Sequence, residues 1–332
     1  LTDNTGWRMR VPGYPMLTAI GGNIPRQPSD WYDTKCAPDR KGSWRLTPAH
    51  STQGFYSDAN IRHLVNFAAA RDIRIVPEIS IPSHAGAAIR AYPHLGNPTL
   101  VNEASHGINQ TLWPSAASLS FMEAAFHHAC SLFPSPTIHI GGASTDWGPW
   151  ESDLSLMRAG LTSGAAIERL FIDRALRTLH FHGRRAAAWD SLTRAYPTPP
   201  PGTTLLAHRP GNAGRRAAES SGAPWILADA EILTLSHPGR TNSPLEPAHT
   251  LFDDLTQALR GERLKGVEAV AWSSTVTTPD LLFYHLLPRL LVIAEAAWHG
   301  EDSLPWDKLA PLVEHEMTHL RRTIPYWNPQ RP

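Results

Sequence analysis

Short runs of Ile, Val, Leu and Ala recur along this chain, and each is closed by polar or glycine residues. They are IRIVPEISI at 73–81, TIHIGG at 137–142, RAAAWD at 185–190, TTLLAHR at 203–209, WILAD at 225–229 and VEAVAW at 267–272. Between most of them lie segments with helical period, over 58–71, 162–182, 251–263 and 279–298. Strand, helix and strand at this spacing predict a parallel sheet with helical crossovers. The runs are continuously apolar rather than alternating, so the strands are expected to be buried on both faces. Their polar ends are Pro82-Ser83-His84, Gly141-Gly142-Ala143-Ser144, Trp189-Asp190 and Trp272-Ser273-Ser274. Barrel enzymes build their sites at such ends. An open doubly wound sheet would give a similar alternation, but no Gly-rich phosphate loop opens a first helix, which favours the barrel.

Two segments stand outside this pattern. Residues 21–53, rich in Pro, Gly, Ser and charge, read as a long loop, and AYPTPPPG at 195–202 reads as a stiff connection from which proline excludes helix. With no internal repeat and no low-complexity tail, residues 1–332 read as a single domain.

Composition narrows the partners more than the fold. Thirty Lys and Arg balance 30 Asp and Glu, so nothing in the charge points to nucleic acid or an acidic membrane surface. No run approaches the roughly 18 apolar residues of a membrane span. The chain opens on polar LTDNTGWR, with Leu rather than Met, and is expected to be processed or cut from something longer. Cys36 and Cys130 define neither a disulfide framework nor a metal spacing and leave the compartment open, as the oligomeric state also stays open. Twelve Trp is a high count, and sugar sites use indole faces, although core packing accounts for most tryptophans.

The strand ends become specific when taken in order. LTDNTGWRMRVPGYPMLTAIG at 1–21, GFYSDANIRHLVNFAAARDIRIVPEISIPSHAGAAIRAYPHLG at 54–96, IHIGGAS at 138–144, AAWD at 187–190, SPLEPAHTLF at 243–252 and GVEAVAWSSTVTTPDLLFYHLLPRLLVIAEAAW at 266–298 together resemble the catalytic barrel of family 20 glycoside hydrolases, the β-N-acetylhexosaminidases. The resemblance covers essentially the whole chain. It implies an α/β fold, a (β/α)8 TIM barrel, of which this chain lacks the first strand and helix and most of the second strand. A barrel open there would leave unpaired strand edges. It also implies an enzyme without metal or cofactor that acts on N-acetylhexosamine-containing glycans and is often secreted, periplasmic or lysosomal.

The resemblance implies a chemistry in which the substrate's own 2-acetamido oxygen attacks the anomeric carbon. One carboxylate polarises the acetamido N–H, a neighbouring Glu protonates the leaving oxygen, a Tyr steadies the acetamido carbonyl, and aromatic walls fold the group under the ring. The Asp–Glu pair falls on Ala143 and Ser144, which can neither accept the N–H nor supply the proton. The tyrosine and a following aspartate fall on Thr234 and Ser236, and a sugar-gripping carboxylate falls on Ser274. Trp189 and Trp272 match the aromatic walls, His84 the histidine behind the acid, Asp3 the carboxylate behind that histidine, and Glu78 a retained position in the third strand. General acid catalysis is worth about 10²–10⁴ in rate and an electrostatic stabiliser about 10²–10³, so the two losses would raise the barrier by roughly 6–9 kcal/mol if they added. Two readings follow: a weakened or retooled glycosidase, or a non-catalytic carbohydrate-binding or structural relative that kept the aromatic box.

Bland readings compete at several positions. His84 alone could be a satisfied strand-end histidine, Trp189 and Trp272 core residues, and Asp3 a turn cap. Asp146, two residues past the acid position, could substitute for it or simply cap a helix in water. His315 and His319 in HEMTH have the string of a zinc helix, yet with no third ligand downstream they read as surface histidines of the last helix.

Overall fold

The computed structural model describes residues 1–23, 54–100, 110–143, 145–236, 245–259, 261–272, 276 and 279–324. The loop expected at 21–53 therefore lies outside the described residues from position 24 onward. In chain order the elements are α1 (Met16–Ala19), α2 (Asp58–Ala69), β1 (Glu78–Ile81), α3 (Gly86–Ala91), α4 (Ala116–Leu132), β2 (Thr137–Gly141), α5 (Gly148–Glu151), α6 (Leu154–Arg158), α7 (Gly164–Phe181), β3 (Arg185–Trp189), β4 (Thr204–Ala207), α8 (Ala213–Ser221), β5 (Trp225–Leu227), α9 (Leu245–Ala258), β6 (Leu264–Val267), α10 (Pro279–Leu286), α11 (Arg289–His299) and α12 (Trp306–Thr323). The chain forms two compact units; among the described residues, one holds 1–23, 54–205 and 220–223, and the other 206–219 and 224–324.

In the first unit β1, β2 and β3 pair in parallel and in chain order. Glu78 of β1 stands opposite His139 of β2, and Thr137, Ile138 and His139 stand opposite Arg185, Ala186 and Ala187 of β3. Apart from the first residue of each, β2 and β3 are buried throughout, as continuous apolar runs require. The crossover helices carry their own start signals. Ser57 and Asn60 form a reciprocal capping box at α2, while the hydroxyls of Ser115 and Ser163 accept from Ser118 and Ala166 N–H at α4 and α7. The apolar faces of α4 (Phe121, Met122, Ala125, Phe126, Ala129) and α7 (Ile167, Phe171, Ile172, Ala175, Leu179) have i, i+3/i+4 spacing, and the two helices pack together.

In the second unit Trp225 and Leu227 of β5 pair in parallel with Leu264 and Val267 of β6, and α9 packs on α11. The strands, with helices between them, give the parallel α/β architecture that the sequence pattern predicts.

Several predicted boundaries move, for identifiable reasons. The first strand begins at Glu78 rather than at 73. Pro77 has no N–H to donate, so pairing opens at its carbonyl, which accepts from His139 N–H at 3.0 Å, while Ile73 and Val76 stay exposed. The run at 267–272 contributes only its first residue to β6; beyond it, Val270 N–H donates to Leu233 and Leu235 N–H to Val270, so this part pairs with 233–235 instead. The helix expected over 251–263 runs from Leu245 to Ala258. The one expected over 279–298 is broken at Leu287-Pro288, because proline's ring fills the place of a helical N–H.

Candidate functional site at the strand ends

Glu78 opens β1 beside the second and third strands, and its carboxylate is the centre of a polar cluster. Its Oε1 accepts from Trp189 Nε1–H and from Ser80 Oγ–H, both at 2.9 Å, and lies 3.3 Å from His139 Nδ1. The His139 ring meets the Trp189 ring at 65° with centroids 5.0 Å apart. Burial alone pushes this carboxyl up, but the charge and hydrogen bond of His139, with the bonds from Trp189 and Ser80, outweigh it and bring the pKa down to about 2. His139 Nε2 is buried with no hydrogen-bond partner among the described residues, so the ring is fixed by its Nδ1 side alone. Trp189 is thereby anchored at the end of β3 with its indole N–H turned to Glu78, and only 7% of it is exposed.

The structure brings His84 and Asp3 together: Nδ1 and Oδ1 are 3.1 Å apart, and both side chains are about half exposed. Burial raises the Asp3 pKa, but hydrogen bonds from His84, the backbone at Asn4 and Thr5 override this and hold it below the usual carboxylate value. Asp3 accepts from the imidazole and also from Thr5 Oγ, so it both meets His84 and makes the local bonds of a turn. His84 has φ 58°, a left-handed conformation that a histidine adopts only at a cost, immediately before α3. Asn4 ties the two segments: its Oδ1 accepts from Gly86 N–H at 3.1 Å and its backbone carbonyl accepts from Arg90 at 2.6 Å.

Beyond β2 the chain turns through Gly141 and Gly142, at φ 79° and 72°. A Cβ on Gly141 would fall 2.6 Å from Ser80 Cα, so glycine is required there. The Ala143 carbonyl accepts from Ser83 Oγ at 3.3 Å and Thr145 Oγ1 at 3.2 Å, which joins the ends of β1 and β2. Ser144 lies outside the described residues. Past it, the segment is held by Glu168 of α7, a buried carboxylate that accepts from Thr145 Oγ1 at 3.0 Å and Trp147 Nε1 at 2.6 Å. Burial pushes the Glu168 pKa up against those two hydrogen bonds. Arg194 reinforces the same segment, donating to the Thr145 carbonyl at 3.0 Å and lying 4.1 Å over the Trp147 ring. Asp146 accepts from Gly148 N–H at 2.9 Å, across the turn that leads into α5, whose N-cap is Trp147. A cavity of about 190 Å³ opens here, lined in part by His84, Gln110, Trp113 and Asp146.

In the second unit Thr234 and Val270 form a parallel bridge, and the buried Ser236 hydroxyl accepts from Trp272 N–H. Trp272 is 43% exposed, and its ring lies edge-on to His208 with centroids 6.0 Å apart. Arg289 donates to the Leu235 carbonyl at 3.0 Å, and burial lowers its pKa to about 10. Ser274 lies outside the described residues. Thr234, Ser236 and Trp272 are thus brought together, chiefly through backbone groups.

Reading the sequence missed Glu168 and Ser83. A carboxylate between Ile167 and Phe171, on the apolar face of α7, was the available signal for the first; a serine before His84 gave none for the second. His315 and His319 lie exposed on α12. Among the described residues no group of three or more His, Cys, Asp or Glu is arranged to hold a metal, and no helix is long and apolar enough to cross a membrane.

Trp189 closes β3 and the Gly141-Gly142 turn closes β2, at the strand ends where barrel folds build their sites. The profile of the glycosyl hydrolase family 20 catalytic domain matches residues 1–301, and the chain belongs to that family. A β-hexosaminidase of Akkermansia muciniphila is 27% identical over 346 residues, covering 97% of this chain and 66% of that protein. A β-hexosaminidase of Porphyromonas gingivalis is 25% identical over 325 residues, covering 90% of this chain and 38% of that protein. This chain therefore spans between about a third and two thirds of those relatives. The crystal structure of a β-N-acetylhexosaminidase superposes with a TM-score of 0.79 over 100% of this chain and 71% of that one, at 24% identity. The Vibrio harveyi exo-β-N-acetylglucosaminidase in complex with N-acetylglucosamine also gives 0.79, at 23% identity, over 100% of this chain and 54% of that one. Both likenesses establish the shared fold.

Proposed function

We propose that this chain recognises terminal β-linked N-acetylhexosamine and no longer hydrolyses it at the rate of its family. The inherited reaction is substrate-assisted hydrolysis, in which the 2-acetamido oxygen is the nucleophile. The reading rests on one observation: the backbone after Gly141-Gly142 carries Ala143, and Ser144 follows, where the family places its Asp–Glu pair. A methyl group accepts no hydrogen bond, so the acetamido N–H would go unpolarised. A serine hydroxyl stays protonated near neutral pH and gives no proton to a leaving alcohol. Thr234, Ser236 and Ser274 extend the pattern of short side chains to the positions of the tyrosine and the sugar-gripping carboxylates. Trp189 and Trp272 support retained recognition as the aromatic walls, with His84 and Asp3 behind the missing acid.

Family membership favours a second reading, a weakened but working glycosidase. Incubation with a chromogenic N-acetyl-β-glucosaminide and calorimetric titration with N-acetylglucosamine separate the two. Binding of millimolar strength or weaker without turnover is expected, since each missing polar grip costs about 0.5–1.5 kcal/mol. Sustained turnover would establish the second reading, and neither binding nor turnover would leave only a scaffold role.

A further inference from the structure

The cavity beside His84 contains chemistry that the strand-end cluster does not use. It lies entirely within the first unit and is lined by residues from five stretches of chain, among them Asn4, His84, Gln110, Trp113, Asp146 and Trp150. It shares only the His84 neighbourhood with the proposed sugar pocket, because neither Trp189 nor Glu78 lines it.

Its polar atoms are arranged with one end of each group anchored. Gln110 Oε1 accepts from Asn4 Nδ2 at 2.8 Å, which fixes the amide and leaves its NH₂ without a protein partner among the described residues. His84 commits Nδ1 to Asp3, leaving Nε2 unpaired in the same way. Asp146 commits Oδ1 to Gly148 N–H and leaves Oδ2 unpaired among the described residues. Glu168, Arg194 and the buried Thr145 and Trp147 contacts brace the segment that carries Asp146, so the carboxylate stands on a fixed support. Trp113 and Trp150, both almost fully buried, make the apolar part of the wall, and Trp150 is stacked on Phe171 at 15°. The left-handed backbone of His84 is the strained element that sets its ring at this wall.

A volume of about 190 Å³ holds roughly six waters at about 30 Å³ each, the scale of a single small ring. An anchored amide donor, carboxylate and imidazole acceptors and indole walls suit a ligand whose groups both donate and accept. We propose that this cavity is an accessory binding site for a polyhydroxylated ligand of monosaccharide size, with Asp146 and His84 Nε2 accepting from its hydroxyls and the Gln110 amide donating to them. The choice of a carbohydrate rests on the function proposed above; the location does not.

Two probes and three variants test it. Glucose and N-acetylglucosamine are titrated by NMR into the wild type, Asp146→Asn, Gln110→Leu and Trp189→Phe, with thermal midpoints recorded to show that each variant is folded. The Asp146→Asn amide keeps an acceptor for Gly148 N–H while removing the charge. Both sugars are expected to bind, glucose within a few-fold of N-acetylglucosamine, and Asp146→Asn is expected to weaken both about tenfold, the loss of a charge-assisted hydrogen bond. Gln110→Leu should weaken them about fivefold, the loss of a neutral one. If glucose does not bind and N-acetylglucosamine binds in a Trp189-dependent manner, the accessory site is overturned and the family sugar pocket stands. If both bind with dependence on Asp146 and not on Trp189, the accessory site stands and the family pocket falls. If no sugar binds, both fall.

Discussion

The strand ends of the two units are built differently. In the first, the partly buried carboxylate of Glu78 is satisfied by Trp189, Ser80 and His139, and the fully buried Glu168 by Thr145 and Trp147. In the second, the bridge from Thr234 to Val270, the Ser236 hydroxyl on Trp272 N–H and Arg289 on the Leu235 carbonyl hold the backbone. The one buried carboxylate among these contacts, Asp229, accepts among the described residues only from the backbone N–H groups of Glu231 and Ile232. The contrast shows where this sequence could change cheaply. Removing Glu78 or Glu168 would leave buried N–H and O–H donors unpaired, whereas positions 234 and 236 keep their local structure with small residues. Short side chains at positions 234 and 236 are therefore compatible with a stable fold, and the carboxylates of Glu78 and Glu168 are ones that the fold uses.

The largest expected effect is at Glu78. Substitution by Ala strands Trp189 Nε1–H and the His139 side chain, and should cost about 3–5 kcal/mol in denaturant unfolding, as expected for breaking a buried pair. A loss under about 1 kcal/mol, the scale of an ordinary surface pair, would show that the cluster is not the stronger of the two regions. The same residue dictates a pH dependence. Its pKa falls from 4.5 unfolded to about 2 folded, so its stabilisation is fully present above pH 4.5 and fades as pH falls toward 2. That amounts to about 3 kcal/mol, to be read as a drop in unfolding free energy over this window that Glu78→Gln largely removes. Next comes Glu168→Ala, expected to cost about 1–3 kcal/mol through the unpaired Thr145 and Trp147 groups. Ser236→Ala should cost about 1 kcal/mol, leaving one backbone N–H without its acceptor. Trp272→Ala should change stability least, by less than about 1 kcal/mol, given its exposure, while weakening N-acetylglucosamine binding. Equal losses at Glu78 and Trp272 would erase the distinction between the regions.

Much of this was legible in the sequence. Continuous apolar runs gave parallel strands, buried in β2 and β3 but not in β6, whose residues all keep some exposure, and the polar residues closing them marked the side of the sheet on which to look. Element ends were less legible where proline intervened: Pro77 delayed β1 and Pro288 split a predicted helix, because each removes a backbone donor that hydrophobic pattern does not register. VEAVAW was apolar enough to be a strand but was divided between two ladders, a choice set by long-range pairing. At the site, the approach of His84 to Asp3 followed from the family resemblance. The roles of Glu78 and Glu168 did not, because a carboxylate that braces a fold and one that does chemistry look alike until their partners are known.

The central proposal is that this member of the family keeps the fold and that Ala143 and Ser144 abolish its hydrolysis. The most direct test is the steady-state rate at which this protein releases chromophore from a chromogenic N-acetyl-β-glucosaminide at saturating substrate, against a buffer blank. No release above the blank is predicted. Release that is linear in protein concentration and survives repurification would contradict the account.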